Sequence, residues 1–403
     1  LNRQDAKDAK PGVFAERTRW DMTPTRLAAA LERRRAAGLP VLDLTESNPT
    51  RCGLVPDAAF VLGLFARSAN LRYDPVAMGL PEARAAVSAY YGAKGVGLAA
   101  DRVCLTASTS EAYAFLFRLL ADPGDEVLVP RPSYPLLEFL AGLNDVRLVP
   151  YPLVYGDRGW RIGLKNLRDA VGPRTRAVVA VSPNNPTGSF LRRNERDALV
   201  ELCAAHGLAL VADEVFADYA FEPEGDPPPT LAGTDGALTF VLSGISKVLA
   251  LPQMKLAWIA ASGPDDLLRD ALGRLEVIAD TYLSVATPIQ RALPALLARR
   301  AEIQGRILAR LQANRRTLED LSPGGPVEVL PVEGGWYAVL RLRGLRDEEA
   351  WAVTLLERDG VHVHPGYLFD FAEPGHIVMS LLPGEEVFAE GISRLLARAW
   401  PGP

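Results

Sequence analysis

The sequence predicts an α/β protein: a large, mainly parallel sheet sandwiched by helices, followed by a smaller α+β part. Three observations predict it. From about residue 80 to residue 261, short β-rich apolar runs are separated by amphipathic stretches of helical period, as in a sheet covered on both faces. Beyond residue 326 the pattern changes to short strands around a single helix. A chain of 403 residues with 48% hydrophobic content is also long enough to bury a large core and to divide into two domains.

The elements follow in order. Thr23 and Pro24 give a cap and first turn, Leu27 and Leu31 continue a helical pattern, and Gly38 ends it. Next come a helix at 81–91, a strand at 103–106, a helix at 110–120, a strand at 126–129 and a helix around 136–141. The alternation continues with a strand at 177–181, a helix at 194–206, and strands at 208–212, 238–242 and 256–261. After Pro264, long helical stretches interrupted near 281–288 reach about residue 321. Past a loop at 322–326 the sequence predicts strands at 327–330 and 336–342, a helix near 348–357, and further short strands. The division expected is a disordered start at 1–13, an arm and helix at 14–44 packing with the small domain, a large domain at 45–290 and a small domain at 291–403. No internal repeat or low-complexity segment is present.

Composition removes several function classes. The formal net charge is −5, and the one run of basic residues is Arg33 to Arg35, which argues against a nucleic acid partner. Cys52, Cys104 and Cys203 lack metal-ligand spacing and read as free thiols in a reducing compartment, so neither a metal site nor a disulfide is expected. The polar start LNRQDAKDAKPG lacks the apolar core of a signal peptide, and no stretch approaches 18 uninterrupted apolar residues. A cytoplasmic protein with no membrane partner is expected. GVGLAA, from Gly95, follows a helix where a dinucleotide fingerprint needs a preceding strand, so it reads as a turn.

The chemistry is carried by three motifs in one order: SPNNPTG ending at Gly188, VADEVF with Asp213 and Phe216, and SGISK with Lys247. The chain has six lysines against 38 arginines, so a lysine just beyond an apolar run stands out. A primary amine, unlike a guanidinium, forms a Schiff base with an aldehyde cofactor. The ordered trio resembles fold-type I enzymes of pyridoxal 5′-phosphate (PLP), specifically the class I/II aminotransferases of the aspartate aminotransferase superfamily. The resemblance runs from about residue 40 to residue 382.

This resemblance implies a seven-stranded type of sheet in the large domain and a role for each residue. Lys247 would form the Schiff base and carry the substrate proton, Asp213 would face the pyridine nitrogen, and Asn185 would donate to the phenolic oxygen, with Asn184 shaping the turn. Ser108, Thr109 and Ser110 lie in TASTSEA between a strand and a helix, a setting that suits phosphate, with simple helix capping as the alternative. Lys255 stands where the family usually has a phosphate-binding arginine. Tyr134 matches the aromatic that stacks on the ring. Tyr73 matches the tyrosine that reaches the neighbouring subunit's phosphate, which implies a homodimer with shared sites.

Three departures from the family follow. Phe216 replaces a tyrosine donor. Gly244 replaces a serine near the phosphate, a loss for which Ser243 or Ser246 would compensate. Val378 stands where the family places the arginine that clamps the substrate carboxylate, and there is no Lys or Arg between Arg358 and Arg394. Either another cation has taken over, with Arg51 beside Ser47 and Asn48 ahead of Arg131 and Arg26, or the substrate has no α-carboxylate and packs against the apolar strand. Tyr282, His362, His364 and Tyr367 are further candidates for the substrate entrance. The function implied is amino-group transfer between an amino acid or amine and a 2-oxo acid. The alternative is a PLP-dependent lyase or decarboxylase, since an unclamped substrate can turn a different bond perpendicular to the ring. A DNA-binding regulator of related fold is disfavoured, because about 20 residues before Thr23 are too few for such a module.

Overall fold

The computed structural model describes residues 13–157, 159–221, 230–322 and 327–399. The start expected to be disordered lies, apart from Val13, outside the described residues, as does the loop at 322–326 apart from Ser322.

One sheet of eight strands dominates. Its spatial order is Val103–Thr106, Ala257–Ser262, Thr239–Gly244, Ala209–Asp213, Thr175–Val181, Glu126–Arg131, Arg147–Gly156, Gly159–Ile162. From Thr239–Gly244 to Arg147–Gly156 the neighbours are parallel, while Ala257–Ser262 runs antiparallel to both of its neighbours. Successive side chains of a strand point to opposite faces, and here both faces are apolar. Val178, Ala180, Leu210, Ala212 and Val241 enter one core; Ala177, Val179, Ala209, Val211 and Phe240 enter the other. Helices cover both faces, so the strands read as unbroken apolar runs.

The helices form close to where the sequence places them, among them Pro81–Gly92, Thr109–Leu120, Leu136–Leu143 and Arg193–His206. The N-terminal helix is Arg26–Ala36, and its cap is Thr25 rather than Thr23. Thr25 Oγ1 accepts from Ala28 N at 3.1 Å, whereas Thr23 turns its own N–H to Asp21. The hairpin Arg147–Gly156 and Gly159–Ile162 is not predicted from sequence, because Pro150 and Pro152 argue against a strand interior. Both prolines lie where the strand has a neighbour on one side, since its pairing with Gly159–Ile162 begins at Leu153. Its two strands join the six placed from sequence, giving eight where the resemblance implies seven.

The C-terminal part holds a four-stranded antiparallel sheet in the order Val327–Val329, Tyr337–Leu342, His376–Ser380, His364–Pro365. Arg26–Ala36 packs on Glu348–Asp359, and Leu42–Asp43 pairs in parallel with Val361–His362. Among the described residues no helix is long and apolar enough to cross a membrane, no acidic, His and Cys group forms a metal cluster, and the three cysteines are free.

Candidate active site

In an open parallel sheet, ligands bind beyond the carboxyl ends of the strands, where loops leave the ends of several strands together. Here the ends of five strands lead to one cavity of about 300 Å³. Thr106 leads to Ser108, Thr109 and Ser110; Arg131 leads to Ser133 and Tyr134; Val181 leads to Asn185. Asp213 ends its own strand, and Gly244 leads to Ser246 and Lys247. All of these, together with Lys255 and Ser47, line the cavity.

Asp213 is half-buried at the end of its strand. Its Oδ2 accepts from the Tyr113 hydroxyl at 3.1 Å and its Oδ1 from Val215 N at 3.2 Å. Burial raises its pKa to about 6, against the pull of those donors and of Lys247. Burial also lowers the Lys247 ammonium to about 8, with Asp213 opposing. Lys247 and Asp213 make no direct contact, but each feels the other's charge across the cavity, and the lysine releases its proton more readily than an ordinary lysine. Lys247 Nζ lies 4.6 Å from the Trp336 ring centre and 5.3 Å from that of Phe216, and the Tyr219 hydroxyl holds the Lys247 carbonyl at 2.6 Å.

The NNPTG turn is built as a rigid bracket. Asn184 Oδ1 accepts from the Thr187 amide and hydroxyl at 3.2 and 2.9 Å, and its amide donates to Pro132 O. Gly188 adopts φ +69°, and a Cβ there would meet Val332 and the Gly334 carbonyl. Glu333 and Gly334 donate to the Gly188 carbonyl, which joins this turn to the segment that carries Trp336. Asn185 faces the cavity, and its buried Oδ1 has no hydrogen-bond partner.

Ser108 caps the helix Thr109–Leu120. Its hydroxyl accepts from Glu111 N at 3.1 Å, and the Glu111 carboxylate accepts from Ala107 N at 2.6 Å. The capping alternative therefore holds for the Ser108 side chain, while the first-turn N–H groups of Thr109 and Ser110 lack intrahelical acceptors and point to the cavity end. Lys255, exposed, lines the same region and has no carboxylate partner among the described residues. Ser246 lines the cavity; Ser243 is buried and does not. Glycine at 244 has a packing cause, since a Cβ there would meet that of Ala257 on the adjacent strand at 2.7 Å. Tyr134, 49% exposed, forms part of the wall.

Other sequence-predicted residues are not brought to this cavity. Tyr73 stands 75% exposed away from it. Asn48 Oδ1 is taken by the Thr50 amide and hydroxyl at 3.0 and 2.8 Å. Arg51, with its side chain 74% exposed, faces Glu46 at 3.4 Å. Arg131 is engaged by Asp370, and Arg26 by Asp347 and Glu349. Val378 is sealed among Trp160, Leu330, Val339, Phe369 and Phe371, because its strand is covered on both sides. His362 binds Asp43 at 3.1 Å, and half-buried His364, pushed down to about 4, is neutral against Phe369. Tyr282 packs on Phe115, and Tyr367 lines a surface hollow beside Asp347 and Glu349. Among the described residues, the cations that line the cavity are Lys247 and Lys255.

Three site residues escape the sequence reading. Tyr113 falls within the helix predicted at 110–120 with no role assigned, although it stands one turn beyond Thr109 and so at the same end of the sheet. Trp336 and Tyr337 read as the start of a strand. Their signal is the preceding Gly334–Gly335 pair, required because a Cβ at Gly334 would meet the Tyr219 carbonyl and the Phe190 ring.

The donor set fits PLP. A helix N-terminus and a lysine without a carboxylate partner suit a phosphate, a half-buried carboxylate suits a protonated ring nitrogen, the Asn185 amide lines the cavity, and a desolvated amine of lowered basicity suits an aldehyde. Comparison with known proteins agrees. The profile of the family described as aminotransferase class I and II matches residues 57–389. The chain is similar to an arginine–pyruvate transaminase of Pseudomonas aeruginosa, 32% identical over 311 residues, covering 75% of each chain. It is also similar to a probable aspartate/prephenate aminotransferase of Thermus aquaticus, 31% identical over 378 residues, covering 91% of this chain and 93% of that one. In fold it matches an alanine aminotransferase from Pyrococcus furiosus with a TM-score of 0.84 at 24% identity, over 91% of this chain and 94% of the other. With its family profile, its relatives and the cavity in agreement, the chain belongs to the class I and II aminotransferases and is a PLP-dependent enzyme.

Proposed function

We propose that the protein transfers an amino group between an amino acid or amine and a 2-oxo acid, with Lys247 as the nucleophile and proton carrier. The observation that carries this reading is that Lys247, of lowered pKa, and Asp213 line one cavity with a helix N-terminus. Bound PLP supplies an aldehyde for a primary amine and a ring that takes up the electron pair released when the substrate Cα–H bond breaks.

The chain's own residues do the rest. With its pKa lowered to about 8 by desolvation, Lys247 gives up its proton more readily than an ordinary lysine, which suits it to act as nucleophile and as base at Nζ. Trp336 and Phe216, packed on each other, both present their rings to that nitrogen. Asp213, ionised above about pH 6, places a negative charge deep in the cavity. The Thr109 and Ser110 amides and Lys255 hold a dianion at the opposite end. Leu136, Leu137 and Leu140 form an apolar wall that excludes water beside the substrate. Among the described residues no guanidinium lines this wall, so a substrate carboxylate is held by hydroxyls such as Ser47, or by a second copy in a homodimer, or is absent from the substrate.

The named relatives are transaminases, which favours transfer over the lyase or decarboxylase reading. Because one of them pairs an amino acid with pyruvate, pyruvate is the acceptor to test first. Single-turnover mixing of PLP-loaded protein with L-amino acids and carboxylate-free amines, read by absorbance and mass spectrometry, tests the reading. Pyridoxamine phosphate with an oxo product is expected. Carbon dioxide release with PLP regained would overturn it.

A further inference from the structure

Asp213 is held by donors from two different elements, Val215 N–H from its own loop and the Tyr113 hydroxyl from the helix Thr109–Leu120. That helix presents Thr109 and Ser110 at its first turn and Tyr113 one turn on, about 5.4 Å along its axis. Its start is fixed by the Ser108 and Glu111 caps, and the Tyr113 ring is packed against Phe117 at 5.9 Å. The tyrosine is buried, and its hydroxyl spends its proton on the carboxylate rather than on a backbone carbonyl.

We propose that Tyr113 is a positioning residue for the cofactor: its hydroxyl keeps the Asp213 carboxylate turned to the ring nitrogen, and its helix sets the spacing between phosphate and ring. The inference rests on the reading that Asp213 faces that nitrogen. Four titratable groups surround Asp213: Tyr113, Tyr134, Lys247, and Glu214 next in the chain. Glu214 is turned away, its carboxylate taken by the Thr230 hydroxyl at 2.6 Å and Leu231 N at 2.7 Å. Tyr113 is thus the side-chain hydrogen-bond donor to Asp213 among the described residues. Removing a hydrogen bond to a buried charged group moves its titration by about one to two pH units, upward for a carboxylate that loses a donor.

The test compares wild type, Tyr113→Phe and Asp213→Asn. PLP affinity is measured by titrating the PLP-free proteins from pH 5 to 9, and ring-nitrogen protonation by NMR with ¹⁵N-labelled PLP. Asp213→Asn is expected to remove the acid limb of the affinity profile and to shift the nitrogen signal to its unprotonated form; if neither happens, the reading of Asp213 itself fails. With that effect present, Tyr113→Phe is expected to move the acid limb up by about one to two pH units and the nitrogen signal part of the way. A limb and a signal unchanged from wild type would overturn the inference, even if stability fell. Incorporation of 3-fluorotyrosine at position 113, a stronger donor of nearly the same size, is expected to move the limb down, and movement upward would count equally against it.

Discussion

Replacing Lys247 by methionine should make the PLP-free protein more stable at neutral pH, although it should abolish turnover. The lysine is half-buried in the cavity, and desolvation lowers its pKa from 10.5 to about 8 even with the attraction of Asp213 included. Below pH 8 the amine is protonated in the folded and the unfolded chain, and the whole cost of burying its charge is present. Between 8 and 10.5 the unfolded chain still binds the proton that the folded chain has released, so wild-type stability rises with pH. The interval from about 8 to 10.5, at about 1.36 kcal/mol per pH unit, amounts to about 3 kcal/mol. Attraction to the faces of Trp336 and Phe216 offsets about 1 kcal/mol of this, leaving about 2 kcal/mol. Methionine fills a similar volume without the charge. Urea denaturation of PLP-free wild type and Lys247→Met, at fixed protein concentration, should show the variant ahead at pH 7 and nearly level with wild type at pH 10.5. A difference of the same size at both pH values, or a variant less stable at pH 7, would refute the reasoning.

Further predictions concern the cavity wall. Phe216→Tyr adds a hydroxyl beside Lys247 and should lower the pH at which the visible absorbance of the PLP-loaded protein changes by about one unit; an unmoved titration would show that this ring does not face the bound cofactor's oxygen. Lys255→Met should weaken PLP binding by about tenfold in equilibrium dialysis, and unchanged affinity would remove Lys255 from the phosphate site. Gly188→Ala forces a Cβ against Val332 at a positive φ, and should cost about 2 kcal/mol or more in thermal unfolding; a variant as stable as wild type would contradict the tight docking of that turn.

The core strands were legible because both faces of the sheet are covered, so each appears as an apolar run whichever way its side chains point. The motif trio was legible because Asn185, Asp213 and Lys247 each stand just past such a run, where a parallel sheet brings strand ends together. The hairpin at 147–162 was hidden by Pro150 and Pro152, whose tolerance depends on a missing neighbour that sequence does not reveal. Arg51, Arg131 and Arg26 could not be ranked from spacing. Arg131 and Arg26 meet their carboxylates at Asp370 and at Asp347 and Glu349, more than 200 residues away in the chain. Tyr113 falls inside a helix and Trp336 at the start of a strand in the sequence pattern, and both are buried. What sequence did not reveal is the polar or charged group that each touches from the core side.

The central claim is that Lys247 is the amine that meets the cofactor in this cavity. Borohydride reduction of the PLP-loaded protein, followed by digestion and peptide mass mapping, tests it most directly. The account predicts a stable phosphopyridoxyl group on the peptide containing Lys247, and its loss in Lys247→Met. Reduction that labels Lys255 or another lysine in place of Lys247, or that leaves no covalent group on a protein known to hold PLP, would contradict it.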